Sequence, residues 1–277
     1  MIGSELVARY TRPRLRLAKA ILVDTQQAEA NVLQRLEILE VTSAKHAEQC
    51  GSEKRFTGWF EVLQFDPLEL ITTRVSIRDY KPEPVPRDLQ LRILEAARWA
   101  PSGDNLQPWR FILVEDQGTK TRIGEICVRA AVRSFGEDIV GLQKRFAEVP
   151  EEKRKAIIEG LVTGRRFKFI AEAPTLLAVC ADTSITSNYL QDVSAAIENM
   201  LLAAHGLGLG ACWIGLPLAD EESEKQTEAA LGISGNIKLV ALVTVGYPSR
   251  VPKPRPRLPL KDLVYINRYG NREGLQM

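Results

Sequence analysis

Arg74-Val75-Ser76-Ile77-Arg78 and Ala100-Pro101-Ser102-Gly103-Asp104-Asn105-Leu106-Gln107-Pro108-Trp109 are the two most informative stretches of this 277-residue chain. The first stretch places two guanidinium groups and a hydroxyl within five residues. The planar fork of arginine donates two parallel hydrogen bonds, which suits phosphate oxygens. If the stretch forms a helical turn, Arg74 and Arg78 share one face because they are four residues apart. A solvated helix face would explain the same spacing, so the pattern alone leaves both interpretations open.

The second stretch forms a polar loop after a helix that the pattern predicts between Pro86 and Pro101. The amides of Asn105 and Gln107 donate and accept hydrogen bonds, which suits the polar edge of a planar ligand. Pro101 and Pro108 stiffen the loop because the proline ring restricts φ. We interpret Trp109 as a core anchor rather than a stacking partner. Together the two stretches predict a site for a planar cofactor that carries a phosphate.

A third basic stretch lies far downstream, where residues 252–259 alternate prolines with Lys253, Arg255 and Arg257. The prolines favour an extended chain that holds the cations apart. A basic surface loop or a proline-rich linker is one interpretation of this pattern. The other is a phosphate clamp that closes over a bound cofactor.

Composition indicates an ordinary globular protein, with 45% hydrophobic and 26% charged residues. The net charge of +2 provides no overall field that would attract nucleic acid or an acidic membrane. The chain contains no apolar run near the roughly 20 residues that a membrane span requires, and its first residues lack a signal-peptide core. The four cysteines include no CxxC pair, so no metal site is predicted. We therefore expect a cytoplasmic protein without nucleic-acid or membrane partners.

The pattern divides the chain into a helical N-terminal extension, residues 1–65, and a main domain, residues 66–277. Apolar residues recur at spacings of three and four between residues 17 and 46, which predicts an amphipathic helix. An apolar, aromatic patch follows at residues 59–65. A helix packed on the main domain or on a second subunit is the simpler interpretation. A basic amphipathic contact with a membrane is the alternative.

The main domain alternates helical periodicity with short apolar runs. Four runs predict buried strands, and the most apolar helix, around residues 190–204, is expected to be central. Long helices between short strands indicate a mixed sheet flanked by helices. Gly206, Gly208 and Gly210 follow a helix and precede a strand, so we interpret them as a helix cap and a turn rather than a dinucleotide fingerprint. The strand predictions cover residues 111–114, 175–181, 211–214 and 237–245.

From about residue 68 to residue 266, the chain resembles the nitroreductase family of FMN enzymes. The resemblance implies an α+β fold with a mixed, mainly antiparallel central sheet flanked by helices. It also implies a homodimer with two FMN sites in the subunit interface. Four landmarks carry it, in the family's order: residues 74–78, residues 100–109, Ala211-Cys212-Trp213-Ile214-Gly215, and Gly246-Tyr247-Pro248 with the arginines that follow.

The resemblance assigns roles to three groups of residues. One group would hold the FMN phosphate and the N1 side of the flavin: Arg74, Val75, Ser76, Arg78, Arg255 and Arg257. A second group would reach the FMN bound mainly by the other subunit: Pro101, Ser102, Gly103, Asn105 and Gln107. A third group would lie against the ring, with the Gly215 backbone N–H near N5: Ile214, Gly215 and Leu216. Many family members have a glutamate where Gly215 or Leu216 stands, so here only a backbone contact is expected.

The implied activity is an oxidoreductase that takes hydride from NADH or NADPH by a ping-pong mechanism and reduces an electron-poor acceptor such as a nitroaromatic or a quinone. No protein side chain is expected to be catalytic, because the cofactor carries the chemistry. The two histidines, His46 and His205, complete no Ser-His-Asp or zinc set. Two alternatives remain: an oxygen-using flavin enzyme of the same fold, and a flavin-binding scaffold or sensor whose N-terminal helix recruits a partner.

Overall fold

A central sheet organises residues 67–275, which are the residues that the computed structural model describes. Its strands are β1 Trp109–Val114, β2 Thr175–Asp182, β3 Gly210–Ile214 and β4 Ile237–Gly246. They lie in the order β1-β2-β4-β3, and each neighbouring pair is antiparallel. A parallel bridge between Ser76 and Ala211 adds a short extended segment beside β3. The predicted α+β fold with a mixed, mainly antiparallel sheet is therefore confirmed.

Helices cover both faces of this sheet. Three of them begin at aspartates whose carboxylates accept a backbone N–H: Asp116 from Thr119, Asp138 from Gly141 and Asp220 from Ser223. Such caps satisfy N–H groups that have no partner inside the helix. The helices of the described residues are α1 Pro67–Thr73, α2 Arg87–Arg98, α3 Gln117–Gly136, α4 Ile139–Arg145, α5 Glu151–Val162, α6 Phe169–Glu172, α7 Tyr189–Gly206 and α8 Glu221–Leu231.

The core has two halves, one on each face of the sheet. Leu177 and Val179 of β2 belong to the half that packs against α2 and α7. Their neighbours Leu176 and Ala178 belong to the half that packs against α3 and α6. Successive residues of a strand point to opposite faces, so a strand covered on both sides must be apolar throughout. This explains why β2 and β4 appear in the sequence as continuous apolar runs.

The predicted elements of the main domain agree closely with the structure. Each of the four predicted strands lies inside an observed one, and the predicted central helix is α7. Gly206 ends α7, Gly208 has a φ of 75°, and Gly210 begins β3, which confirms the interpretation as a cap and a turn. A Cβ at Gly210 would lie 2.5 Å from Ile77 Cγ1, so only glycine permits the approach of the segment beside β3.

Predictions for the N-terminal extension fall outside the described residues. These are the helix of residues 17–46, the aromatic patch of residues 59–65 and the boundary between residues 65 and 66. The boundary therefore stays a prediction. None of the helices between residues 67 and 275 combines the length and apolar character needed for a bilayer crossing. The same residues contain no group of three or more His, Cys, Asp or Glu side chains arranged to hold a metal ion.

Candidate functional site

The segment from Arg74 to Arg78 is extended, and it lies along the outer edge of β3. The Ile77 N–H donates to the Ala211 carbonyl at 3.0 Å, and the Ile77 side chain is buried. The helical turn considered for this segment is therefore wrong, because α1 ends at Thr73 and the open edge of β3 offers the backbone a partner. Alternate residues of an extended chain share a side. Arg74, Ser76 and Arg78 are each two positions apart, so they lie on one side of the extended segment.

These three side chains surround the thiol of Cys212, in the middle of β3. Burial raises the pKa of this thiol, while Arg78, Ser76 and Arg74 oppose that rise. The opposition comes from the charges of Arg78 and Arg74 and from hydrogen bonding by Ser76 and Arg78. We call Arg74, Ser76, Arg78 and Cys212 the cationic cluster. Cys212 is also part of the hydrophobic core, and the sequence analysis did not assign it to the site. Its position two residues before Ile214, on the same side of a strand, could have revealed it.

Arg74 has unused hydrogen-bonding capacity. Its Nε is buried and has no hydrogen-bond partner among the described residues. The neighbouring opposite charge is Glu198 of α7, whose Oε1 lies 3.4 Å from Nε without the geometry of a hydrogen bond. A buried donor without a partner costs stability, and a charged one more than a neutral one. An anion that accepted from this Nε would remove that cost.

Tyr80 fastens the end of the extended segment to the sheet. Its hydroxyl donates to the Ile77 carbonyl at 2.7 Å and lies 2.8 Å from Thr244 Oγ1 of β4. Burial raises the pKa of this phenol, so it stays protonated and keeps its donor. The cationic cluster therefore rests on a rigid part of the fold. Val75, between Arg74 and Ser76, is half-buried and has no charged role.

His205 lies at the other side of the cluster, in the last turn of α7. Its Nε2 is 2.9 Å from Thr73 Oγ1. Desolvation and the charge of Arg74 lower the pKa of His205. The neutral form of the imidazole is therefore favoured at this helix end.

The predicted ring-binding residues lie where β3 ends. Ile214 is buried and is the last residue of β3 that pairs with β4. Gly215 follows with a φ of −100° and a ψ of 1°, and no atom lies within 4 Å of the point where its Cβ would be. Leu216 begins a short 3-10 turn and packs against the core. The strand thus leads directly from Cys212 to an open backbone position at Gly215.

Arg255 and Arg257 are exposed, in a stretch without regular structure. This stretch leaves β4 beside the end of the cationic cluster. The Lys81 N–H donates to the Tyr247 carbonyl at 2.8 Å, and the Ser249 N–H donates to the Asp79 carbonyl at 3.0 Å. The structure thereby fixes where the stretch begins.

The polar loop from Ser102 to Gln107, here the amide loop, has a strained backbone. Three of its residues are not glycine and yet have positive φ: Asp104 at 50°, Asn105 at 56° and Gln107 at 51°. Aspartate and asparagine tolerate this region, whereas glutamine rarely occupies it. The Ser102 hydroxyl accepts the Gln107 N–H at 3.1 Å and closes the loop. Such strain is concentrated at functional sites.

The ends of the amide loop differ in exposure. Pro101, Gly103 and Asn105 are exposed, so their backbone or side-chain groups are accessible. Trp109 is 6% exposed and belongs to the core, as predicted for an anchor.

The Gly103 N–H donates to Oδ1 of the buried Asp192 at 3.2 Å. The sequence analysis missed Asp192, whose signal is a carboxylate among the apolar positions of the central helix.

The structure attaches the amide loop and the cationic cluster to different parts of α7. The loop contacts Asp192 in the first turn of this helix, whereas Arg74 pairs with Glu198 in its middle and Thr73, next to Arg74, contacts His205 in the last turn. Glu198 and His205 lie six and thirteen positions after Asp192, which are rises of about 9 Å and about 20 Å along the helix. Within the described residues, no hydrogen bond or ion pair joins the two regions. The predicted site residues therefore form two groups in a single chain.

Comparison with known proteins identifies the family of this chain. The model of the Nitroreductase family matches residues 71–247. A putative NADH dehydrogenase/NAD(P)H nitroreductase of Methanothermobacter thermautotrophicus is 31% identical over 70% of this chain and 84% of the relative. An iodotyrosine deiodinase of Thermotoga neapolitana is 31% identical over 71% of this chain and 94% of the relative. The crystal structure of an oxidized iodotyrosine deiodinase bound to FMN and 3-iodo-L-tyrosine superposes with a TM-score of 0.58 and 29% identity, over 74% of this chain and 98% of the other. The chain belongs to the nitroreductase family.

Proposed function

We propose that this protein is an FMN-dependent oxidoreductase that takes hydride from NADH or NADPH by a ping-pong mechanism and reduces an electron-poor acceptor. The observation that carries the proposal is the cationic cluster beside an open backbone position. A buried, unpartnered Arg74 Nε lies on the same strand edge as Ser76 and Arg78, and β3 leads from there to Gly215. Relatives named as nitroreductases and a solved relative bound to FMN support the same assignment.

The residues of the cationic cluster fit the phosphate end of FMN. Arg74 and Arg78 supply charged donors, and Ser76 supplies a hydroxyl between them. Arg255 and Arg257 would add two exposed cations from the stretch that begins beside Asp79. Arginine is well suited to this task because its charge persists at every physiological pH. These groups bind and orient the cofactor and take no part in proton transfer.

The ring of the cofactor fits at the end of β3. Ile214 and Leu216 offer apolar surface, and Gly215 offers a backbone N–H with no side chain to block it. FMN supplies the chemistry, because it accepts a hydride from one substrate and passes electrons to another. The protein then needs to hold the donor about 3–3.5 Å from the reacting atom.

A second copy of the chain would complete each site. The amide loop supplies Ser102, Gly103 and Asn105, with Pro101 and Gln107 as its flanks. The loop and the cationic cluster contact different parts of α7, and no hydrogen bond or ion pair joins them within the described residues, so a homodimer would allow the loop of one chain to complete the site of the other. The amide side chain of Asn105 would then donate to and accept from the polar edge of the flavin.

The first test is an absorbance scan of the purified protein, followed by anaerobic addition of NADH and, separately, NADPH. We expect the two visible bands of a flavin, bleached by at least one of the two donors and restored by a nitroaromatic or a quinone. A flavin that stays oxidised with both donors would contradict the oxidoreductase and support a flavin-binding scaffold. Restoration by dioxygen alone would support the oxygen-using enzyme. Absence of flavin, even after FMN is added, would refute the proposal.

Reductive dehalogenation is a second candidate for the oxidising half of the cycle. The similarity to the iodotyrosine deiodinase of Thermotoga neapolitana equals the similarity to the nitroreductase relative and covers more of the relative's length. An iodinated tyrosine added to the reduced protein would release iodide if this candidate is right. Unchanged iodide would leave nitroaromatics and quinones as the acceptors to pursue.

A further inference from the structure

Asp192 is a buried carboxylate that the proposed chemistry does not use. It lies in the first turn of α7 and is only 7% exposed. Its Oδ1 accepts the Gly103 N–H at 3.2 Å, from a residue 89 positions away along the chain. Its Oδ2 is buried and has no hydrogen-bond partner among the described residues. No cation pairs with this carboxylate within the same part of the chain.

Asp192 is the external partner of the N-terminal part of the amide loop. Within the loop, the Asn105 N–H donates to the Ser102 carbonyl, the Leu106 N–H to the Gly103 carbonyl, and the Gln107 N–H to the Ser102 hydroxyl. At the C-terminal end of the loop, Nη1 of Arg110 in β1 donates to the Gln107 carbonyl at 3.4 Å. Between residues 67 and 275, Asp192 is the one partner from outside that hydrogen-bonds residues 102–106. A loop with three non-glycine residues at positive φ persists only if its surroundings over-determine its conformation.

The unpartnered Oδ2 indicates that stability alone does not account for Asp192. A buried carboxylate with one unsatisfied oxygen destabilises the fold, since the lost hydration is not replaced. An apolar residue at this position of an otherwise apolar helix face would avoid that cost. The carboxylate instead fixes the position of the Gly103 N–H.

We propose that Asp192 is a positioning residue that holds the amide loop in its strained conformation through the bond from Gly103 N–H to Oδ1. The loop is thereby fixed in the shape in which Ser102, Gly103 and Asn105 face the cofactor of the partner's site. The effect on the cofactor rests on the proposed function, whereas the effect on the loop does not. The two effects can therefore be measured separately.

Hydrogen exchange of the full-length, FMN-free protein tests the effect on the loop. We expect the amides of residues 103–107 to exchange at least about tenfold faster in Asp192→Ala, because their external attachment is lost. Asp192→Asn keeps an acceptor oxygen and should retain near wild-type exchange. Asp138→Ala is the matched control, since Asp138 Oδ1 accepts the Gly141 N–H at 2.8 Å in the first turn of α4. It should accelerate exchange around residue 141 and leave the amide loop unchanged.

A second pair of variants removes the same bond from the loop side, in case Asp192→Ala does not fold. Gly103→Pro deletes the donor N–H, and Gly103→Ala keeps it. No atom lies within 4 Å of a Cβ at this position, so the alanine side chain fits. We expect faster exchange of residues 104–107 in Gly103→Pro than in Gly103→Ala. Equal exchange in this pair, or unchanged loop exchange in a folded Asp192→Ala, would overturn the proposal. Loss of protection in Asp192→Asn equal to that in Asp192→Ala would do the same.

Titration of the same proteins with FMN tests the effect on the cofactor. Asp192→Ala should bind FMN about tenfold more weakly than wild type, with Asp192→Asn close to wild type and Asp138→Ala unchanged. Faster loop exchange with unchanged FMN affinity would overturn the link between loop and cofactor. If wild type binds no FMN, the proposed function fails while the exchange experiment still tests the role of Asp192.

Discussion

The cationic cluster and the amide loop hold their polar groups in place by different means. The cluster is built on regular structure: an extended segment bridged to β3 and fastened by Tyr80 to β4. The amide loop is irregular, with three residues at positive φ and two hydrogen bonds to residues outside it, one to Asp192 and one from Arg110. The cluster therefore keeps its shape through backbone pairing, whereas the loop is held by hydrogen bonds to side chains.

This difference separates two kinds of contribution to one proposed site. In the cluster, the side chains carry the function and the backbone only supports them. In the amide loop, the backbone conformation itself decides which groups are presented. Substitutions in the cluster should thus act through lost charge, and substitutions in the loop should act largely through altered φ. The following predictions are ordered from the largest expected effect to the smallest.

Removal of the buried charge from the cluster should have the largest effect. Arg74→Ala should weaken FMN binding by about 1.5–3 kcal/mol, the usual contribution of a hydrogen bond to a charged group. Flavin retention and FMN titration would measure the loss. Arg165→Ala is the matched control, since Arg165 pairs on the surface with Glu159 at 3.1 Å and should not affect flavin. Unchanged retention in Arg74→Ala would remove this arginine from the site.

Two substitutions of Asn105 separate the effect of its backbone conformation from the effect of its amide side chain. Asn105→Ala removes the amide and also forces alanine to a φ of 56°, which costs about 1–2 kcal/mol. Asn105→Gly removes the amide alone, because glycine accepts positive φ. We therefore expect FMN titration to show weaker binding by both variants than by wild type. Asn105→Ala should bind more weakly than Asn105→Gly. Equal binding by Asn105→Gly and wild type would show that only the backbone at this position matters.

The exposed cations should have a smaller effect that depends on salt. Arg257→Ala should weaken FMN binding by less than about 1 kcal/mol at low ionic strength, since exposed charges are well screened. The difference from wild type should shrink as salt is added. An effect as large as that of Arg74→Ala, and insensitive to salt, would mean that the stretch after β4 closes over the ligand and buries this arginine.

His205 should give the smallest effect, and its sign is fixed by the lowered pKa. In the folded protein, desolvation and Arg74 hold the pKa of His205 below its ordinary value of 6.5. As the pH falls below that value, the unfolded chain takes up the proton first, so folding loses stability. Thermal unfolding should therefore show wild type losing more stability than His205→Gln between about pH 7 and pH 5. The opposite order would mean that His205 is stabilised in its charged form.

The sequence predicted the site residues of the cluster better than their conformation. Arg74, Ser76 and Arg78 have a spacing that suits both a helical turn and an extended strand, because positions i and i+4 share a face in each. The open edge of β3 decides between them, and Ala211 lies more than 130 residues downstream. No local pattern carries that information.

The amide loop was less predictable still. Asp104 and Asn105 are residue types that tolerate positive φ, but Gln107 is not, and its conformation follows from the closure by Ser102. The partner that holds Gly103 is on another helix, 89 residues away. The strands and the central helix, by contrast, were predicted correctly, since continuous burial on both faces of a sheet leaves a local apolar signature.

A mixed dimer tests most directly whether the two regions serve one site from two chains. One chain would carry Arg74→Ala and the other Asn105→Ala, with different tags for purification of the heterodimer. If each site combines the cluster of one chain with the loop of its partner, one of the two sites is entirely wild type. We predict that the mixed dimer binds one FMN with wild-type affinity, although both variant homodimers bind weakly. A mixed dimer as weak as the homodimers would contradict a site shared between subunits.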